Sequence, residues 1–484
     1  MPGFLGSLAI IALVLLIAAI FSGLVERSPI SFPMVFLGIG FLIGDHGLGI
    51  IHITPHDPTL QTIAILSLSF VLFLDALNLR FDEIGKDWMV PVLSMGPGTL
   101  LTIVLISFAA LFILRLSLLA SFLLGAMLSS VDPVLLRDVV GDERIPRSIR
   151  QSLKIEAGTN DIIVLPILLV LAAIAAGQTG TPGSWVVLLV RLFLLGPLVG
   201  GLVGGGSALL MNLSRKYTVI RREYRALYGV GVLVAAYFAG EIVGGSGFLA
   251  VFAAGIAMVS LDFDLCDCFL EFGEVISEMT MLLAFLLFGA MLSTIIGTVA
   301  LLPVLGLALV ILLIARPAAI ALVLRHADVS RNARLFIGWF GPRGLSSLLF
   351  GLLLVTNGVP GAEQLLAVAG VVVIISVIVH GVSAAPLAAW YSRSEMKETL
   401  PEEREGSASG LFRQNADEVP RITPQELADR MRSSNPPVVL DVRSRSTYSH
   451  DKGKIPGSIR VLPDDINEWA AGKDQERSIV TYCT

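Results

Sequence analysis

Glu156, Asn160 and Asp161 stand close together inside an apolar run that otherwise reads as lipid-soluble helix. Ionisable groups at membrane depth are costly, so they mark an ion or proton pathway by default. A second interruption lies upstream, at Ser129-Ser130-Val131-Asp132-Pro133, where proline removes a helical hydrogen bond beside a carboxylate. Both stretches, 129–133 and 156–161, are expected to break the helical pattern. A carboxylate stripped of water is disfavoured in its charged form, so proton and metal cation compete for it. If only one is held at a time, exchange follows. Asp161 is the best candidate for that role. Asp132 sits where freed carbonyls and the hydroxyls of Ser129 and Ser130 can add hard oxygen ligands for Na+ or K+. Glu156 and Arg343 are the other deeply placed opposite charges, and since a buried charge needs a partner, an ion pair between them is expected to tie two helices. Asn160 can hold neighbouring groups without adding charge.

These residues need a membrane scaffold, and the composition supplies one. The chain is 55% hydrophobic and 15% charged, and charge is confined to short clusters and the region after about Trp390. Segments long enough to cross ~30 Å of hydrocarbon number about thirteen. They are expected near 4–25, 29–44, 58–80, 88–115, 118–140, 148–176, 183–213, 223–241, 246–261, 273–294, 298–325, 332–356 and 363–391. The first has no basic head and no small-residue cleavage site, so it reads as a retained helix rather than a signal peptide. Basic residues sort by side: Arg27, Arg80, Lys86, Arg144, Arg147, Arg150, Arg215, Lys216, Arg221, Arg222, Arg325, Arg331 and Arg334 fall in alternate connections. The intervening loops near 45–57, 177–182, 242–245, 295–297 and 357–362 have none, with Arg115 a near exception. The positive-inside rule then puts the N-terminus outside and the C-terminus in the cytoplasm. An odd number of crossings agrees.

Other polar residues have plainer readings. Gly204-Gly-Gly permits close helix packing. Arg191 and Arg316 snorkel or pair locally. His380 reads as a packing or helix-break feature rather than a proton carrier, and Glu241 as a helix-end residue facing the outer vestibule. Cys266 and Cys268 flank Asp267 in a polar loop with neither a disulfide framework nor a zinc spacing. The net charge of −5 says little about partners in a mostly buried chain, and nothing points to nucleic acid.

The four ordered motifs Asp132-Pro133, Glu156-x-x-x-Asn160-Asp161, Gly245-Ser246-Gly247 through Gly255, and Gly338-Trp-Phe-Gly-Pro-Arg343-Gly344 together resemble the monovalent cation:proton antiporters of the sodium/proton exchanger type. The resemblance covers roughly residues 1–391. It implies an all-α polytopic fold of inverted repeats and a homodimer, with a static dimerisation domain and a moving six-helix core whose crossing unwound helices hold the ion. In its terms Asp161 matches the essential ion-binding aspartate, Asp132 the helix-break carboxylate, and Asn160 the asparagine of the electroneutral branch. Glu156 and Arg343 match an ion pair. Asp75 sits where relatives commonly have a glutamate near the ion, although a plain helix-end carboxylate close to the cytoplasmic side is the competing reading. The site would comprise Asp161, Asp132, Asn160, Ser130 and Asp75. Val131 stands where a threonine often precedes the aspartate, and Ala157 where a serine often follows the glutamate; both remove an oxygen and leave the choice between Na+ and K+ open. No resident cofactor is implied. Na+, K+ or Li+ and H+ are cargo, and the setting is a cell inner membrane or plasma membrane, with pH and sodium homeostasis as the role.

Past Trp390 the composition changes. Residues 392–420 are rich in Glu, Ser, Gly and Arg and read as a solvated linker. Residues 421–484 open on a capped helix at Arg421-Ile-Thr-Pro-Gln-Glu, followed by strands at Pro437–Arg443 and Ser478–Cys483. Ligands of open α/β sheets sit at the carboxyl ends of strands, where Cys483 lies. Leu440-Asp441-Val-Arg443, Gly453-Lys-Ile-Pro456-Gly457 and Val480-Thr-Tyr-Cys483 resemble a rhodanese-like domain. That family's cysteine accepts a persulfide within a loop of backbone N–H groups. The chain given ends at Thr484, so the domain is expected to be partial and not competent as it stands, and His450 reads as a surface residue. The alternatives to antiport are a sulfur- or redox-responsive antiporter governed by this tail, with no partner for the tail identified, and a membrane-anchored sulfurtransferase. One tether helix would serve the last. A channel would need a continuous polar pore, whereas these polar residues cluster at one depth.

Overall fold

The computed structural model describes residues 31–78, 89–142, 145–178, 181–217, 221–261, 267–327, 329–395, 422–433, 436–443, 453–462 and 478–482, with isolated residues 12, 16, 17, 20, 448 and 469. The expected first helix, residues 396–420 of the expected linker, Cys266, His450 and Cys483 lie outside this set, apart from those isolated positions, whereas residues 392–395 continue the helix Ala362–Glu395. From α1 (Phe32–Ile43) onward the helices follow the expected spans: α2 (Pro58–Asn78), α3 (Met89–Ile113), α4 (Leu118–Met127), α5 (Arg137–Val140) and α6 (Arg147–Ala175). Then come α7 (Gly183–Ser214), α8 (Arg222–Ile242), α9 (Gly247–Ser260), α10 (Asp267–Ile295) and α11 (Leu301–His326). The helical part closes with α12 (Arg331–Trp339), α13 (Leu345–Thr356) and α14 (Ala362–Glu395). Among the described residues, 8 helices are long and apolar enough to cross a membrane. Shorter apolar helices at α1, α4, α9 and α13 complete the set.

Two features depart from the expected pattern, and one follows it. The polar run 156–161 is no break, since it lies within the continuous α6. The expected helix over 332–356 is instead two half-helices, α12 and α13, separated by an unwound stretch over 340–344. The break at 129–133 is present, between α4 and a short helical stretch at Val134–Leu136 that leads into α5. The reason is local. Proline at 133 and the Gly341-Pro342 and Gly344 positions remove or weaken helical hydrogen bonds, whereas side chains at 156–161 leave the backbone ladder intact and find partners on other helices.

From Thr280 to Ser293 helix α10 is buried all round, with Phe285, Phe288 and Leu292 fully enclosed. A helix apolar on every face belongs inside a bundle. By contrast, Leu198, Leu202 and Leu209 of α7 are exposed, as suits a lipid-facing surface. The opposite face of α7 meets α9 at close range: a Cβ at Gly200 would lie 1.9 Å from the Ala250 carbonyl oxygen, and one at Gly204 2.3 Å from that of Ala254. The small-residue cluster therefore serves packing, as its composition suggested.

The loops without basic residues gather at one end of the bundle. There Asp45 accepts a hydrogen bond from Thr294 at 2.8 Å and meets His52, and His56 lies 3.6 Å from Glu363. The Thr294 hydrogen bond, with His52 beside it, holds the Asp45 carboxyl below the usual range. A cavity of about 430 Å³ opens among Gln61, Gln178, Arg191, Glu241, Gly244 and Asn357. Glu241 lines it and accepts from the Gly247 N–H at 2.8 Å, capping α9.

The tail contributes α15 (Pro424–Met431), closed by a Thr423–Glu426 capping box, and three short strands, β1 (Val438–Asp441), β2 (Ile459–Arg460) and β3 (Ile479–Tyr482). They form a parallel sheet in the order β2-β1-β3, with Leu440 opposite both Ile459 and Thr481. Arg443 grips Asp441 through Nε at 2.9 Å and Nη2 at 2.7 Å. Burial pushes the Asp441 carboxyl up, but the hydrogen bonds and charge of Arg443 outweigh it and leave the group below the usual range.

Candidate functional site

Two helix breaks meet. The Asp132 N–H donates to the Pro342 carbonyl at 2.9 Å, stitching the unwound stretch between α4 and α5 to that between α12 and α13. Every half-helix beginning here exposes N–H groups and every one ending here exposes carbonyls. The carboxylate of Asp132 serves the first kind on both sides: Oδ1 accepts from the Val134 N–H at 2.9 Å and Oδ2 from the Leu345 N–H at 2.7 Å. An anion at two helix N-termini is the arrangement favoured by the helix dipole. The approach is so close that a Cβ at position 344 would fall 1.8 Å from Asp132 Oδ2. Glycine at 344 is a steric requirement.

Arg343 serves the second kind. Its Nη1 donates to the Ser129 carbonyl at 2.6 Å and the Ser130 carbonyl at 2.9 Å, where α4 ends. This corrects one expectation, that these carbonyls offer themselves to a metal cation. They already face a guanidinium. The Ser129 hydroxyl is also committed, donating to the Ala126 carbonyl at 2.8 Å. Only the Ser130 hydroxyl turns to a carboxylate, donating to Asp161.

Asp161 is buried on α6, and a second hydroxyl, that of Ser346 at the start of α13, is near enough to favour its charged form. Each helix break therefore sends one hydroxyl to the same carboxylate. Asn160, next in line on α6, donates through Nδ2 to the Ser129 carbonyl and to Thr99 Oγ1, both at 3.3 Å. It braces the break against α3 without adding charge. Asp75 reaches the same helix from α2: a Cβ at Gly158 would lie 3.2 Å from its Oδ1, and the charge of Asp161 acts on it. The plain helix-end reading of Asp75 therefore gives way to one in which it faces the site.

The expected Glu156–Arg343 pair is replaced by another. Glu156 Oε1 lies 2.8 Å from Arg316 Nη1, with both side chains buried. Arg316 also donates through Nη2 to the Phe340 carbonyl at 3.2 Å, capping the end of α12. It neither snorkels nor pairs locally. Arg343 is held on the Ser129 and Ser130 carbonyls, whereas Arg316 follows a π turn at Ile311–Ala315 in α11. The extra residue of a π turn rotates everything beyond it around the helix, bringing Arg316 onto the inward face. A similar π turn at Ser94–Gly98 immediately precedes Thr99, the partner of Asn160. Sequence reasoning missed Arg316, Ser346 and Thr99. The signals available were a proline directly after Arg316, and the position of Ser346 just past Gly344.

His380 is buried on α14, which runs unbroken through His380 and Gly381, so it marks no break in its own helix; it packs there with Nε2 3.0 Å from the Trp339 carbonyl that ends α12. Cys483, the expected persulfide position, follows directly on β3 but is not among the described residues.

The arrangement can do one thing well. The two buried guanidiniums are committed, Arg316 to Glu156 and Arg343 to carbonyls, and among the described residues Asp161 has no cationic side chain as an ion partner. Its negative charge is left for a proton or a cation to balance.

Comparisons with known proteins place the chain in a family. The family model for the transmembrane sodium/hydrogen exchanger matches residues 11–390, and that for the rhodanese-like domain matches 423–484. The K+/H+ antiporter NhaP of Alkalimonas amylolytica is 28% identical over 400 residues, covering 82% of this chain and 69% of that protein. The Na+/H+ antiporter NhaG of Bacillus atrophaeus is 24% identical over 399 residues, covering 77% of this chain and 73% of the other. Among solved structures, the sodium proton antiporter MjNhaP1 of Methanocaldococcus jannaschii superposes with a TM-score of 0.64 at 22% identity, over 80% of this chain and 98% of that one.

Proposed function

The chain belongs to the sodium/hydrogen exchanger family and is a multi-pass cation/proton antiporter with a rhodanese-like C-terminal domain, and on that premise we propose that it exchanges one monovalent cation for one proton per cycle, with no net charge crossing. Asp161 is the carrier. It holds either the proton or Na+ or K+, with Ser130 and Ser346 as neutral oxygen ligands and Asp75 close by. Asp132 and Asn160 keep the crossing in shape. The observation that carries the reading is the pair of hydroxyls that the two breaks direct at a buried carboxylate lacking a cationic side-chain partner. Relatives named for K+ and for Na+ both match, so the cargo is to be sought among monovalent cations.

The reading extends to the whole molecule. It works as a homodimer in a bacterial inner or plasma membrane, N-terminus outside and tail in the cytoplasm, the orientation that the sorting of basic residues favours, and it serves pH and sodium homeostasis. The test is proton movement in proteoliposomes holding the full chain, driven in turn by Na+, K+ and Li+ gradients. Saturable proton flux with at least one of these supports the proposal. Flux with none of them, in liposomes where the protein is inserted and folded, contradicts it.

A further inference from the structure

One buried titratable group has no part in the ion chemistry above. His380 lies on α14, 2% exposed, beside the break between α12 and α13. Its Nε2 stands 3.0 Å from the carbonyl oxygen of Trp339, the last residue of α12. A carbonyl only accepts and a neutral imidazole has one N–H, so this contact takes the tautomer with the proton on Nε2, which donates to Trp339 and leaves Nδ1 to accept from the Ser376 hydroxyl; a proton on Nδ1 would go to the Ser376 carbonyl instead. Its Nδ1 faces Ser376, 3.2 Å from the hydroxyl and 2.9 Å from the carbonyl one turn back on α14. The Ser376 hydroxyl oxygen in turn accepts from the Arg343 backbone N–H at 2.7 Å. Trp339 precedes the unwound stretch over 340–344, and Arg343 lies near its far end. Farther along α14, the Trp339 indole N–H donates to the Ser383 hydroxyl at 3.0 Å.

We propose that His380 and Ser376 are positioning residues for the exchange reaction, clamping both ends of the unwound segment onto α14 so that Arg343, Gly344 and Ser346 stay where the ion site needs them. The proposal rests on the antiport reading above. Unwound backbone needs partners for its N–H and C=O groups once it is buried. Here α14 supplies one at each end through two side chains that touch each other. Displacing this segment would move the Leu345 N–H off Asp132 and the Ser346 hydroxyl off Asp161, so the effect should fall on cation affinity. Arg343 and Arg316 are the charged groups whose fields reach His380. Neither accepts a hydrogen bond.

The test uses the full chain in proteoliposomes with four variants. Glutamine can present an N–H near the place of Nε2 but cannot titrate. Asparagine reaches only the place of Nδ1. His380→Ala, His380→Asn and Ser376→Ala are expected to raise the cation KM about fivefold, the worth of one buried hydrogen bond, while His380→Gln stays within about twofold of wild type. The pH profile of His380→Gln should match wild type, and amide hydrogen exchange over 340–346 should quicken in the Ala variants and not in the Gln variant. A His380→Ala protein with wild-type KM and exchange protection overturns the clamp. So does a His380→Gln protein as defective as His380→Ala with a shifted pH profile, which would make the imidazole a proton carrier. Wild-type protein that exchanges no cation would instead sink the antiport reading, and the hydrogen-exchange comparison would still decide the clamp.

Discussion

Glu156 on α6 and Arg316 on α11 form a buried ion pair, 2.8 Å between Oε1 and Nη1, while Arg343 lies against the carbonyls that end α4. Two arginines at one crossing thus do different work. One neutralises a carboxylate. The other neutralises the negative end of a half-helix.

Removing one member of a buried pair leaves the other charge uncompensated, which costs about 3–5 kcal/mol. Glu156→Gln is therefore expected to melt well below wild type in detergent, and Glu156→Gln combined with Arg316→Met to recover much of the loss. A double variant no more stable than Glu156→Gln would show that Arg316 is not the partner that suffers.

Gly344→Ala should abolish exchange, because its Cβ would fall 1.8 Å from Asp132 Oδ2 and force the two breaks apart. Gly201→Ala, where a Cβ meets nothing within 4 Å, is the matched control and should exchange normally. Initial rates of dye-reported proton flux decide it; a Gly344→Ala protein running at the wild-type rate would contradict the steric account.

Much of this site was legible in the residues before the fold was known, and the boundary of legibility has a physical cause. Asp132, Asn160 and Asp161 announce themselves because carboxylates and a proline at membrane depth have few uses. The helical spans follow from apolar length alone. The pairing of Glu156 was not legible, because a single π turn ahead of Arg316 shifts the face it presents and no periodicity in the sequence marks that turn. Nor was the difference between 156–161 and 340–344. Both are interruptions of apolar patterning, but the first is resolved by side chains reaching other helices and the second by the backbone itself unwinding. Ser346 looked like one small polar residue among many until the second break aimed it at Asp161.

Ser346→Ala and Ser130→Ala each remove one hydroxyl from Asp161. Each is expected to raise the cation KM about fivefold to tenfold, in keeping with a hydrogen bond to a charged group. Because the two hydroxyls serve one carboxylate, the double variant should depart from additivity. Cation-dependence curves for the three proteins test this, and unchanged KM values in both single variants would remove the hydroxyls from the site.

Asp161→Asn should insert and fold like wild type and yet move no protons in response to a cation gradient, since the amide cannot take up and release a proton and carries no negative charge to balance a cation. Residual saturable exchange in that variant would transfer the carrier role to Asp75 or Asp132.

The account's central claim is that Asp161 alone carries cargo, so that one proton returns for each cation. Charge and proton movement should be recorded together, by current on a solid-supported membrane and by a pH-sensitive dye in the same proteoliposomes, after a jump in Na+ or K+. The account predicts proton flux with no sustained current, and a rate insensitive to membrane potential although an uncompensated charge would couple at ~2.3 kcal/mol per 100 mV. A sustained current that rises and falls with the proton flux would contradict it.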